Sequence, residues 1–426
     1  MSIIAPIVSQ HAEEAAFLWL LRDVAVSAPH YSLADLAELD SRVEAHIEGL
    51  RVAGDAGWSC CVEGLQQEES GEVFAAAVIA LEGEDPRRIE QVCAAVEATP
   101  ETARGFISAL GWTAPDKLGG KVAGLLESDS PLWRRIGIAA CAVHRVDCGK
   151  HLSQALDDPD PTLRARALRA AGETARRDLL PDLRGQMRSE DPTCGFWAAW
   201  SAVLLGDRGE GVSALQSIAV SDPPLGPRAL QVVPRVLPPA NAGDWLKVLA
   251  QYPERRRELV IGCGVSGDPV YIPWLITRME EAPDLARVAG EALSLITGLD
   301  IADEDLEQDA PEGFEAGPTE HPEDEDVALD PDEDLPWPNP GPIKAWWDTN
   351  SARFHAGTRY LSGEPISEAQ CQRVLETGSQ RQRRAATLEL ALLRPDAPLF
   401  ETRAPGFRQQ QGLVQEAMKH PGAPEA

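Results

Sequence analysis

Cys141, His144, Cys148 and His151 form the one close gathering of soft ligand types in this 426-residue chain. A structural zinc ion takes four such groups, usually in closely spaced pairs. Here the two thiols stand seven positions apart, no Cys-x-x-Cys pair occurs anywhere, and the four residues straddle one helix-turn. The other cysteines are Cys60, Cys61, Cys93, Cys194, Cys263 and Cys371, most of them in apolar helical contexts. Small buried thiols are ordinary core residues in reducing compartments, so structural cysteines and no metal are expected. Nucleophile and base chemistry has no better footing. His46 lies between Ala45 and Ile47 on an amphipathic stretch with no partner indicated by spacing, and His11 and His30 read as the ends of the first helix. Gly262-Cys-Gly264-Val-Ser-Gly267 has the spacing of a dinucleotide-binding loop. That loop needs a strand before it and a βαβ setting, whereas its flanks here are helical in pattern. Neither a Gly-x-Ser-x-Gly elbow nor His-Glu-x-x-His occurs. No catalytic residue, cofactor site or metal site is assigned.

Residues suited to binding are easier to find. Trp197 and Trp200 stand three apart on one helix beside Phe196. Exposed, they would be a contact hot spot; turned inward, they would fill the core. Trp245 and Trp274 fall in second helices of repeated pairs, the face that often lines a concave surface. Trp346 and Trp347 are adjacent, so they cannot share a helix face, and one is expected to pack while the other is available. The acids Asp303, Glu304 and Asp305, and Glu323, Asp324, Glu325 and Asp326, lie in a stretch of 17 acids and no Lys or Arg between residues 300 and 335. This stretch reads as a solvated linker or as an electrostatic docking arm. A calcium loop would need a central Gly and a terminal Glu at fixed spacing, which are missing. The basic runs Arg255-Arg256-Arg257 and Arg381 to Arg384 can pair with the arm within the molecule or stand as solvated helix surface.

Net charge of −29 and a pI near 4.6 argue against nucleic acid, whose phosphates need a basic footprint, and against anionic membranes. They leave a protein with a basic surface as the expected partner. No segment approaches the roughly 18 apolar residues of a spanning helix, and Met1-Ser-Ile-Ile-Ala-Pro6 lacks the basic start of a signal peptide. A cytoplasmic protein is expected.

The elements that must position these residues are announced by prolines. Pro131, Pro161, Pro192, Pro223, Pro253 and Pro283 recur at 30 or 31 residues, and one step back lands on Pro100. A fixed period of that size marks a repeat array. Proline at the first helical position replaces an N–H the helix does not use, and it bars the preceding residue from the helical region. Asp160, Asp191 and Asp222 precede their prolines, where a carboxylate can cap the helix. First helices are rich in Ala and Gly, and second helices carry larger Leu, Ile and Trp. A lone pair of this kind cannot bury both faces; stacked copies can. Pro227, Pro234, Pro238 and Pro239 should break one unit into short helices, and Gly357 to Pro365 reads as a turn or small hairpin.

Asp160-Pro161-Thr-Leu-Arg164 followed by a small-residue helix resembles HEAT-like repeats, in particular the short kind related to the lyase repeats of phycobiliprotein enzymes. The resemblance covers about residues 70 to 300 and 366 to 394. The Leu-Ile-Thr-Gly298 to Trp346-Trp347-Asp-x-Asn350 segment is similar to the ends of several such proteins. The block from Leu36 to Trp58, with Asp40, Arg42, His46, Gly49, Gly54 and Gly57, resembles an uncharacterised bacterial family associated with type VI secretion loci. That implies an accessory role, handling an effector or a spike protein, and assigns no catalytic residue. HEAT architecture carries no fixed activity.

The expectation is thus an all-α, HEAT-like solenoid of antiparallel helix pairs with a helical N-terminal module and a C-terminal cap. Its segments would be residues 1–68, a repeat array over 69–299, an acidic flexible linker over 300–340 and a helical cap over 341–426. Its expected function is a non-catalytic protein-binding scaffold, adaptor or effector chaperone. A HEAT-repeat enzyme of lyase or hydroxylase type and a self-associating structural component are the alternatives.

Overall fold

The computed structural model describes residues 4–83, 85–314, 316–317 and 330–419. The chain is an all-α solenoid of helix pairs, with a single two-stranded hairpin among the described residues. Chain contacts gather Met1–Leu205 with Pro395–Ala426 in one compact unit and Gly206–Arg394 in another.

The local chemistry of the period is visible at each helix start. Asp160 accepts from the backbone N–H groups of Thr162 and Leu163 at 2.9 Å each and caps the Pro161–Glu173 helix. Asp191 accepts from Cys194 N at 2.8 Å ahead of Pro192–Leu204. Ser32 and Asp35 cap Leu33–Ala53 reciprocally, Asp35 N donating to Ser32 Oγ at 3.2 Å and Ser32 N to the Asp35 carboxylate at 2.8 Å. Pro100 and Pro253 open short 3-10 turns, with Ala103–Trp112 and Arg256–Ser266 following. At Asp222 the carboxylate accepts from Leu225 N at 3.0 Å, and helix resumes only at Gly226–Leu230, then Val233–Val236 and Pro239–Leu249.

In the first unit, Ala5–Ala25, Ser70–Glu82, Ala103–Trp112, Pro131–Val143, Pro161–Glu173 and Pro192–Leu204 pack as a row of successive neighbours. Small residues set the spacing. A Cβ on Gly105 would stand 2.0 Å from the Ser70 carbonyl oxygen, so only glycine allows that approach. Larger side chains fill the remaining core: Trp19 stacks on Phe74 at 5.6 Å, Phe74 meets Trp112 edge-on at 5.5 Å, and Phe106 meets Trp133 at 5.9 Å. Glu173 is buried at the end of its helix, accepting from Arg169 Nε at 2.7 Å and Arg166 Nη1 at 2.9 Å. Burial alone would raise its pKa; Arg166, Arg169 and Arg145 outweigh that and hold it at about 2. The returning C-terminal segment docks here, Leu399 N donating to the Glu173 carbonyl at 3.0 Å.

In the second unit, Arg256–Ser266 and Pro283–Thr297 lie side by side, with Gly264 so close to Ala292 that an added Cβ would stand 2.8 Å from it. Both helices end on glycines in the left-handed region, Gly267 (φ 72°) and Gly298 (φ 73°). The hairpin Tyr360–Leu361/Glu364–Pro365 seals both ends: Tyr360 N donates to Gly267 O at 2.8 Å, Ser362 N to Leu295 O at 2.8 Å and Gly363 N to Ile296 O at 3.0 Å. Carbonyls orphaned at the helix termini are thereby satisfied. The described ends of the acidic stretch are tied to this unit. Asp332 accepts from Arg257 Nη1 and Nη2 at 2.6 Å each, and its carbonyl from Arg287 Nη1 at 2.8 Å. Gln308 N donates to Trp337 O and Asn339 N to Leu306 O, both at 2.8 Å.

Candidate functional site

The hairpin and three helices of the second unit enclose a concavity of about 490 Å³. One wall is the end of Pro283–Thr297 with the turn after it, which contributes Asp300, Asp303 and Glu304. Trp346 and Asn350 form a second wall, near the end of Pro340–Asn350. The hairpin tip, Ser362 to Glu364, forms a third. The fourth is one face of Glu368–Thr377, on which Gln370, Arg373, Val374 and Thr377 recur at the helical spacing of three and four.

Local chemistry explains why these walls meet. Gly298 must be glycine, because its φ is positive and an added Cβ would stand 2.8 Å from the Ser362 backbone. Ser362 itself has a φ of 48°, an uncommon conformation for a residue with a side chain. Gln370 supports the tip from beneath: its Nε2 donates to the Leu361 carbonyl at 2.8 Å. The Asp300 carboxylate folds the following turn by accepting from Ala302 N at 3.1 Å and Asp303 N at 3.2 Å.

Of the residues singled out in the sequence, the structure brings Trp346, Asp303 and Glu304 together on this one concavity. Asp305 is exposed, at φ 54°, and does not line it. Trp347 packs on Phe354 at 5.5 Å. Trp200 and Trp245, each 8% exposed, fill helix-pair cores and offer no contact surface. Trp197 is half-buried, with the Arg169 guanidinium 4.7 Å over its ring. Trp274 is half-buried beneath Arg278 at 5.5 Å. Glu323, Asp324, Glu325 and Asp326 lie outside the described residues. Sequence reasoning passed over Asp300, Ser362, Glu364 and Gln370. The signals open to it were the two positive-φ glycines implied by Thr297-Gly298 and Ser362-Gly363.

His144 turns its Nε2 to the Leu110 carbonyl at 2.8 Å. Cys141 and Cys148 are free thiols that share a hydrogen bond, which pushes the Cys141 pKa up and the Cys148 pKa down. Among the described residues no group of three His, Cys, Asp or Glu side chains could hold a metal ion, and no helix is long and apolar enough to cross a membrane. Gly262 and Gly264 sit inside the Arg256–Ser266 helix, so the apparent phosphate loop is helical. His46 packs against His11, their Nδ1 atoms 3.2 Å apart; His11 is thus an interior residue of Ala5–Ala25 and not its end.

Residues 149–231 match the family model for HEAT repeats. These residues include Lys150–Ala155, Pro161–Glu173, Leu180–Gln186, Pro192–Leu204 and Glu210–Ser221. The chain is similar to HEAT repeats over that stretch. No curated protein and no solved structure matches it.

Proposed function

We propose that this chain is a non-catalytic protein-binding scaffold or adaptor whose contact site is the concavity of the second unit. The observation that carries the reading is the juxtaposition of half-buried Trp346 with Asp303 and Glu304. Tryptophan is among the residues most enriched at interaction hot spots, and charge beside it selects the partner. HEAT repeats in general build protein-interaction scaffolds, and the repeat match supports that class here. The surplus of acids favours a partner with a basic surface by long-range attraction. The finer reading is a cytoplasmic accessory of type VI secretion that holds an effector or spike protein; its support is the Leu36 to Trp58 block. Affinity capture of the tagged full chain from its native cells tests both levels. A stoichiometric basic protein supports the scaffold, and an effector or spike protein the finer role. Capture of nothing above a mock control overturns both.

A further inference from the structure

We infer that the concavity at the Gly298 end of Pro283–Thr297 receives an arginine or lysine side chain carried on a basic segment of a partner protein. The inference rests on the protein-binding reading and adds the chemistry of what is bound.

Fixed charge is the first observation. Asp300, Asp303, Glu304 and Glu364 face two cations, Arg353 and Arg373, across the same lining. Helix direction is the second. Thr297, Asn350 and Thr377 belong to the last turns of three different helices, and all three line the site. A helix C-terminus carries about half a negative charge, felt within its last turn. The hairpin caps the Pro283–Thr297 end; the other two ends, added to the carboxylates, disfavour an anion and favour a cation.

The third observation is independent of charge. Gln370 is 4% exposed and lines the cavity, yet its Oε1 has no hydrogen-bond partner. Ser362 Oγ, at the hairpin tip, is also buried without a partner. A buried acceptor left unsatisfied costs about 1–3 kcal/mol, so a ligand whose N–H donors meet Gln370 Oε1, turned into the cavity, gains there. An apolar side chain would leave the acceptor stranded. A guanidinium offers five donors in a planar fork and an ammonium three. Trp346 supplies the fourth element, a half-buried indole on which a cation can lie. The volume falls in the range of about 300–1,000 Å³ typical of clefts that hold small ligands, enough for one extended side chain and its flanking backbone.

The test is calorimetric titration of the full chain, at about 150 mM salt to screen diffuse attraction, with acetyl-Gly-Arg-Gly-Arg-Gly-amide. The control peptide carries citrulline for each arginine, which keeps the shape and removes the charge. Saturable one-site binding is expected, weakened at least about tenfold by citrulline. Asp303→Asn/Glu304→Gln should weaken it by a similar factor, and both residues are exposed, so the fold is kept. Trp346→Leu should do the same; if it unfolds, Trp346→Phe keeps a ring and should weaken binding by about two- to threefold. Equal affinity for the citrulline peptide, or unchanged affinity in the Asp303/Glu304 variant, overturns the inference. So does binding abolished by Glu323→Gln/Asp324→Asn/Glu325→Gln/Asp326→Asn, because the acidic run would then hold the peptide. Failure here while a stoichiometric partner is still captured removes the cation site and leaves the scaffold. Peptide binding with no partner captured does the reverse.

Discussion

Arg235 Nη1 donates to Glu389 Oε1 at 2.9 Å across 154 residues of chain, and both side chains are 2% exposed. Arg359 donates to the same oxygen, and also to Arg235 O at 2.7 Å and Ser266 O at 2.9 Å. One carboxylate therefore ties the hairpin that seals the candidate site to Val233–Val236 and Gln380–Leu393. Glu389→Ala would leave two guanidiniums facing an uncharged interior. A loss of about 3–5 kcal/mol in urea unfolding is expected. Arg235→Met/Glu389→Met should cost less than Glu389→Ala alone, because it strands one guanidinium, that of Arg359, instead of two. A Glu389→Ala loss below about 1 kcal/mol would refute the assigned role.

Glu173 makes the first unit sensitive to acid. Its folded value of about 2 lies below the ordinary 4.5, so the unfolded chain binds a proton first as pH falls. The carboxylate's stabilisation is complete above about pH 5 and is lost between about pH 4.5 and 2. Urea midpoints of the wild type and Glu173→Gln should differ most at neutral pH and converge across that window. A constant difference down to pH 2 would contradict the assignment.

Close helix approach in the first unit depends on Gly105. Gly105→Ala should destabilise by about 1–3 kcal/mol, since the new methyl meets a backbone oxygen that cannot swing aside. Gly124→Ala, on Lys121–Leu126 with nothing within 4 Å of the added carbon, should instead be neutral or stabilise by up to about 1 kcal/mol. Equal effects in thermal melts would show that contact distance is not what selects glycine at Gly105.

The acidic stretch is expected to be energetically uneven. Asp332 is buried, with two bonds to a partly exposed Arg257, so Asp332→Ala should cost about 1–2 kcal/mol. Exposed Asp303→Asn should change stability by less than about 0.5 kcal/mol. The two variants, compared in one denaturation series, separate anchoring acids from those facing solvent. Equal effects would contradict that division.

What the sequence made legible is what depends on neighbours in the chain. Proline at a first helical position and aspartate before it act within four residues, and the Ser32–Asp35 box and the broken helices after Pro223 are equally local. The site depends on closure over distance. Trp346 shares a concavity with Asp303, Glu304 and the hairpin tip, and no residue near Trp346 signals that. The return of the C-terminal segment is equally silent in sequence. Gly406 N donates to the Asp40 carboxylate at 2.5 Å across 366 residues, and Arg22 Nη2 donates to the carbonyls of Arg403 and Ala404 at 3.0 Å each. Both sets of bonds use backbone groups, which every residue has, so composition and period carry no trace of them. Trp200 and Trp245 show the converse, since large side chains that look like contacts in sequence are consumed by the core.

Site-specific photo-crosslinking in native cells reads directly whether a partner sits at the concavity. A photoreactive residue in place of exposed Thr377 on the rim of the concavity, compared with one in place of exposed Lys150 in the first unit, reads where a partner sits. One discrete adduct is expected from position 377, lost in the Asp303→Asn/Glu304→Gln background, and none from position 150. Adducts equally abundant at both positions, or absent at 377 while present at 150, would contradict contact there.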